Sequence, residues 1–168
     1  MHNKQRPQTK TAHKALFLKE FLKNPRQVAS IIPSSTFLER RIVELAEIRT
    51  AHTVVELGAG IGGTTRAILA AMVPDAKLLT MEINPHFCSL LHHVSDERLI
   101  VHCGSAQEIR TALSRYELSA PDVVISGIPF STIKRPIGSL ILEEIASVLN
   151  PGGLFVAYQV SNQVDKLS

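Results

Sequence analysis

Five short apolar runs set the rhythm of the chain: TVVEL at 53–57, KLLTMEI at 77–83, LIVHC at 99–103, DVVIS at 122–126 and LFVAYQV at 154–160. Each is rich in Val, Ile and Leu and alternates little between apolar and polar, the pattern of a strand covered on both faces. The stretches between them, about 63–73, 85–94, 106–116 and 136–149, are read as helices. Pro85 follows the cap residue Asn84, Pro136 opens a second helix at its first position, and NPGG at 150–153 stops that helix. Upstream, the run TAHKALFLKEFLK at 11–23 sets Ala15, Leu18 and Leu22 on one side, Phe17 and Phe21 beside them, and Lys14, Lys19 and Lys23 around them. Pro25 ends or bends that helix. Thr36 and Glu39 have the spacing of a capping box, which predicts another amphipathic helix over 37–48.

Strands and helices in strict alternation predict an α/β fold of the Rossmann-like kind, a doubly wound, mostly parallel sheet with an N-terminal helical extension. The chain divides into a basic arm over 1–26 and a body over 27–168. With 168 residues, 45% of them hydrophobic, the chain is large enough for one buried core. No apolar run reaches the roughly 18 to 20 residues that span a bilayer. The expectation is a soluble protein or one attached to a membrane surface.

Charge changes the picture more by its distribution than by its net value of +3. Residues 1–26 hold seven bases against the single acid Glu20, leaving 11 of the 18 bases and 14 of the 15 acids to the body. A basic arm on an acidic body points to an anionic partner, nucleic acid or acidic lipid. Cys88 and Cys103 occur without a secretory leader pattern, so they are expected to be separate small core residues in a reducing cytoplasm. His92 and His93 are adjacent and therefore point about 100° apart on a helix, which does not chelate one ion.

In a doubly wound sheet the ligand lies beyond the carboxyl ends of the strands, at the switch point beside the first strand. VVELGAGIGGTT at 54–65 falls there. Glycines in that turn let a ligand approach the main chain, and the next helix presents its amino end to the same place. Glu82, at the end of the second strand, is positioned to accept hydrogen bonds from two ribose hydroxyls. Gly58, Gly60 and Gly63 satisfy the dinucleotide pattern G-x-G-x-x-G. Glu56, Gly58, Gly60 and Gly62 satisfy E-x-G-x-G-x-G equally well. A carboxylate at Glu56 suits the cationic methionine end of S-adenosylmethionine better than a pyrophosphate.

On these residues the chain resembles a class I S-adenosylmethionine-dependent methyltransferase over roughly 30–160. Within that superfamily it is similar to the bacterial phospholipid N-methyltransferases of the phosphatidylethanolamine-methylating type. The narrower resemblance is carried by VASIIPSSTFLERRI at 28–42, the glycine stretch, and VVISGIPFS at 123–131. It implies S-adenosylmethionine as cofactor, bound by Glu56, Gly58, Gly60 and Gly62 in the first turn, by Glu82 and Ile83 after the second strand, and by Ser105 and Ala106 beside the adenine. It further implies that Ser126, Gly127, Pro129 and Phe130 face the methyl acceptor. The carbonyls of Ser126 and Gly127 would hold an amine, Pro129 would stiffen the turn, and Phe130 would pack on a methylated cation. Family members usually carry Gly-Asp-Ala where this chain has Gly104-Ser105-Ala106, so the adenine contact lacks charge assistance and weaker cofactor binding is expected.

The resemblance implies a cytoplasmic enzyme without a metal, held at the inner membrane by its basic N-terminal helix and acting on a phospholipid amine. Two alternatives remain open. An RNA adenine N6-methyltransferase of the dimethylase type shares the architecture, but carries an Asn-Leu-Pro-Tyr type element where this chain has Gly127-Ile128-Pro129-Phe130. A non-catalytic cofactor-binding domain is the other. Class I enzymes follow the fifth strand with an antiparallel pair, and the sequence reaches Ser168 before one could form. The expectation is an incomplete set of C-terminal strands, with 154–160 as a sheet edge covered by further chain or by another subunit.

Overall fold

A computed structural model describes residues 35–158. The basic arm, the helix expected at 11–23, and residues 159–160 of the fifth apolar run lie outside the described residues. In chain order the elements are α1 (Ser35–Leu45), a 3-10 turn (Ile48–Thr50), β1 (Thr53–Leu57), α2 (Gly63–Ala71), β2 (Lys77–Glu82) and α3 (Pro85–Leu91). There follow β3 (Leu99–Cys103), a 3-10 turn (Ala106–Glu108), α4 (Ile109–Arg115), β4 (Val123–Ser126), α5 (Arg135–Val148) and β5 (Leu154–Ala157). The strands pair in the order β3-β2-β1-β4-β5, every pair parallel.

Burial explains why the strands carry unbroken apolar runs. All five residues of β1 are buried, because helices cover the sheet on both sides. On one face Val54, Leu78, Val123 and Ile125 pack with Leu38 and Ile42 of α1 and Ile68 and Leu69 of α2. On the other, Val55, Leu57, Leu79, Met81 and Val124 pack with Ile109 and Leu113 of α4 and Ile141 and Ile145 of α5. Leu79 has no exposed surface. Leu79→Ala is expected to lower unfolding free energy by about 2 to 5 kcal/mol, read as a shifted urea midpoint at unchanged slope. The amino ends of the central strands are tied by Asp122, whose Oδ2 accepts from the backbone N–H of His52 (2.9 Å) and Thr53 (3.1 Å) and whose Oδ1 accepts from Asn150 Nδ2 (2.9 Å). Burial opposes its charge, but these donors outweigh it and hold its pKa below the usual carboxylate value.

Three expectations change. The helix expected over 106–116 divides, because the Ser105 side chain accepts from Gln107 N (3.2 Å) and caps a 3-10 turn before α4 begins. Helix α1 already includes Ser35, so Thr36 lies within the helix rather than capping it. Glu39 lies against α2 instead: a Cβ built on Gly63 would be 2.6 Å from its Oε1. Cys88 and Cys103 are joined as a disulfide, with Cα atoms 5.9 Å apart, rather than being two separate core thiols. Register brings them together, since Cys103 pairs with Glu82 and Cys88 Sγ lies 3.3 Å from the Glu82 carbonyl oxygen. Cys88 is buried and Cys103 exposed.

Candidate active site

The strand order reverses between β2 and β4 on either side of β1, and the turns leaving those strands meet above the sheet. The first is the glycine turn, in which Gly58, Gly60 and Gly62 have φ of 75°, 56° and 86°. At Gly60 a side chain would be strained, yet nothing lies within 4 Å of where its Cβ would be, so this part of the turn is open above. At Gly58 a Cβ would come within 3.3 Å of Ile128 Cγ1, so the glycine turn and the loop after β4 lie close together. Arg66 of α2 braces the turn by donating to the carbonyls of Ile61 (3.1 Å) and Gly62 (2.9 Å).

Glu82 ends β2 with 7% of its surface exposed. Its Oε2 accepts the Gly60 N–H at 2.8 Å and its Oε1 accepts the Asn84 N–H at 2.9 Å. One carboxylate thus fixes the glycine turn and the entry to α3, and each oxygen keeps a lone pair for a ligand hydroxyl. Ile83, next in the chain, is 75% exposed and presents an apolar surface beside it.

Beneath the turn, Glu56 is wholly buried. Its Oε2 accepts from Thr65 Oγ1 (2.6 Å) and Thr80 Oγ1 (3.1 Å), while Oε1 has no hydrogen-bond partner. Desolvation raises its pKa to about 7, against the lowering effect of the two threonines, and Glu82 raises it further. A buried carboxylate with one idle oxygen is costly unless a cation or donor meets it.

The loop after β4 holds the expected acceptor residues. Ser126 is buried, and its Oγ accepts from Ile128 N at 3.3 Å. Its carbonyl, expected to hold an amine, already accepts the Tyr158 N–H at 2.9 Å. Pro129 does sit in a turn, its carbonyl accepting Thr132 N (2.8 Å) and Thr132 Oγ1 (2.9 Å). Phe130 is half-buried against the core between the sheet and α5, next to Gly138. Ser105 and Ala106 are half-buried, and the Ser105 hydroxyl is engaged in capping. Tyr158 was not anticipated at the site. Its hydroxyl lies 3.0 Å from Thr64 Oγ1 in the first turn of α2 and beside Gly127. The register that pairs Ser126 with Ala157 sets residue 158 one step further on, against residue 127, a placement the sequence alone does not carry.

A separate hollow of about 410 Å³ opens between α2 and the segment after α3, lined by Arg66, His93, Asp96 and Arg98 among others. Arg98 spends its guanidinium there on the carbonyls of Leu69 (2.9 Å) and Met72 (3.1 Å) and on Asp96 (2.6 Å), closing the carboxyl end of α2. That hollow is built around a helix cap and shares Arg66 with the glycine turn. Among the described residues no group of three or more His, Cys, Asp or Glu could hold a metal ion.

The ornithine lipid N-methyltransferase of Singulisphaera acidiphila is 32% identical over 142 residues, covering 83% of this chain and 74% of that protein. The chain belongs to the class I S-adenosylmethionine-dependent methyltransferases. It is an enzyme of that class, with S-adenosylmethionine as cofactor. The ribosomal RNA small subunit methyltransferase A of Caulobacter vibrioides is 33% identical over 95 residues, but the match spans only 34% of that protein. The fold matches the solved O-methyltransferase from Bacillus cereus in complex with S-adenosylhomocysteine, with a TM-score of 0.63, 14% identity, and coverage of 90% of this chain and 66% of that one. No protein-family model matches the chain.

Proposed function

We propose that this methyltransferase acts on the primary amine of a membrane phospholipid of the phosphatidylethanolamine type, at an anionic membrane surface on the cytoplasmic side of the inner membrane. The observation that carries the reading is the likeness to a lipid N-methyltransferase along 74% of its length.

The residues of the crevice fit the cofactor. Glu82 would accept the ribose hydroxyls, Ile83 would lie along the adenine with Ser105 and Ala106, and the open backbone at Gly58, Gly60 and Gly62 would take the methionine portion. The idle Oε1 of Glu56 would meet its cationic end. When bound, the cofactor would supply a methyl group carried on a sulfonium, open to attack by an amine lone pair. What the protein adds is alignment and exclusion of water. The head-group ammonium gives its proton to bulk water before the nitrogen enters the crevice, and the neutral amine needs no further base to attack.

Two features support lipid over nucleic acid. At the amino end of α5, Lys134 and Arg135 are exposed together with Ile137 and Leu140, next to the acceptor loop, a basic and apolar rim of the kind that suits an anionic bilayer. The seven bases of residues 1–26 would add to it, each near the surface contributing about 1 kcal/mol. No helix among the described residues is long and apolar enough to cross a membrane. Second, Gly127 has no side chain to receive a base amine, and a Cβ there would lie 2.7 Å from the Tyr158 hydroxyl.

The test offers methyl-labelled cofactor and the full chain to vesicles of phosphatidylethanolamine in anionic lipid, to vesicles carrying ornithine lipid, and to ribosomal RNA. Label is expected in the phosphatidylethanolamine fraction. Label in ornithine lipid alone changes the head group, and label in RNA alone overturns the reading. Deleting residues 1–25 is expected to abolish flotation with anionic vesicles; undiminished flotation would reject the arm as an anchor.

A further inference from the structure

Resting on an amine acceptor at the β4 loop, we propose that the Tyr158 hydroxyl is the side-chain group that positions that amine, standing in the space a side chain at position 127 would fill. The backbone sets this up. Ser126 pairs with Ala157, and the Tyr158 N–H donates to the Ser126 carbonyl at 2.9 Å, so Tyr158 and Gly127 leave the sheet side by side. A Cβ built on Gly127 would lie 2.7 Å from Tyr158 Oη, 2.9 Å from Cζ and 3.0 Å from the Gly58 carbonyl oxygen. Residue 127 is therefore glycine because the phenol and the first turn have taken its volume. Across the crevice the same oxygen is 3.0 Å from Thr64 Oγ1, so it bridges the start of the cofactor helix and the acceptor loop.

The ring packs against the core cluster formed with α1 and α2. Burial pushes the phenol up to about 12, against the Thr64 hydrogen bond. The group stays neutral at any working pH and acts as a hydrogen-bond partner rather than a base. Whichever of the two hydroxyls donates in that bond, the phenol oxygen keeps a lone pair for an acceptor N–H. That contact turns the nitrogen's own lone pair toward the methyl group.

Tyr158→Phe keeps the ring and removes only the hydroxyl. It is expected to lower kcat about 10- to 100-fold, while the calorimetric affinity for S-adenosylmethionine and its KM stay at wild-type values. A second readout is independent of turnover: Gly127→Ala is expected to lower the melting midpoint in the Tyr158 background, and Gly127→Ala with Tyr158→Ala to recover most of that loss relative to Tyr158→Ala alone. A Tyr158→Phe enzyme with wild-type kcat on whichever acceptor takes the label would overturn the positioning role, as would a Gly127→Ala penalty of equal size in both backgrounds. Wild-type protein that leaves phosphatidylethanolamine and ornithine lipid unlabelled sinks the lipid reading instead, a result separable from these.

Discussion

Glu82→Ala is expected to weaken S-adenosylmethionine binding at least about 100-fold, the largest single loss at the site. Two effects compound. The proposed ribose contacts disappear, and so do the acceptors of the Gly60 and Asn84 N–H groups, now at 2.8 and 2.9 Å. Of the two abandoned donors Asn84 is exposed and can turn to water, whereas the part-buried Gly60 N–H costs about 1 to 3 kcal/mol, so the glycine turn loosens along with its ligand. Glu82→Gln does not rescue, because its amide nitrogen would face one of the two N–H donors. Titration calorimetry measures the loss; an Ala variant that binds as tightly as wild type would remove Glu82 from the cofactor site.

Glu56→Gln is expected to affect stability and binding in opposite directions. In the folded protein the carboxyl titrates at about 7 rather than 4.5, chiefly because it is desolvated. Below pH 4.5 both folded and unfolded chains hold the proton and nothing is lost. Between about 4.5 and 7 the unfolded chain releases it first, so stability falls as pH rises, by on the order of 3 kcal/mol once the folded form is also ionised. The Gln variant escapes that decline and is more stable than wild type at pH 8. Its cofactor affinity falls about 10-fold or more there, because the negative charge that meets the cationic end is gone. Thermal unfolding from pH 4 to 8 checks the first half. A wild-type protein whose midpoint does not drop relative to the Gln variant across that range would contradict it.

Much of this site is legible in one dimension because its parts are local. The glycine turn, Glu56 two residues before it and Glu82 at the end of the next strand sit in a short segment, and unbroken Val, Ile and Leu runs reveal strands covered on both faces. What stayed hidden depends on register. That Thr80 lies opposite Glu56, that Cys103 lies opposite Glu82, and that Tyr158 stands against Gly127 all follow from pairings between strands distant in sequence. Phe130 shows the converse limit. A loop aromatic suggests a cation partner, yet α5 offers Gly138, and the ring lies beside it against the core. The Ser105 hydroxyl likewise caps its own turn, a local contact that competes with any ligand.

The account stands on the bare turn and its two carboxylates being built for a sulfonium nucleoside. Parallel calorimetric titrations with S-adenosylmethionine and with its uncharged thioether product, in two buffers of different ionisation enthalpy near pH 7, test this directly. The expected result is tighter binding of the sulfonium by wild type, with proton release as Glu56 ionises, and loss of both the preference and the release in Glu56→Gln. Equal affinity for the two ligands without proton release, or a wild-type preference that Glu56→Gln retains, would contradict it.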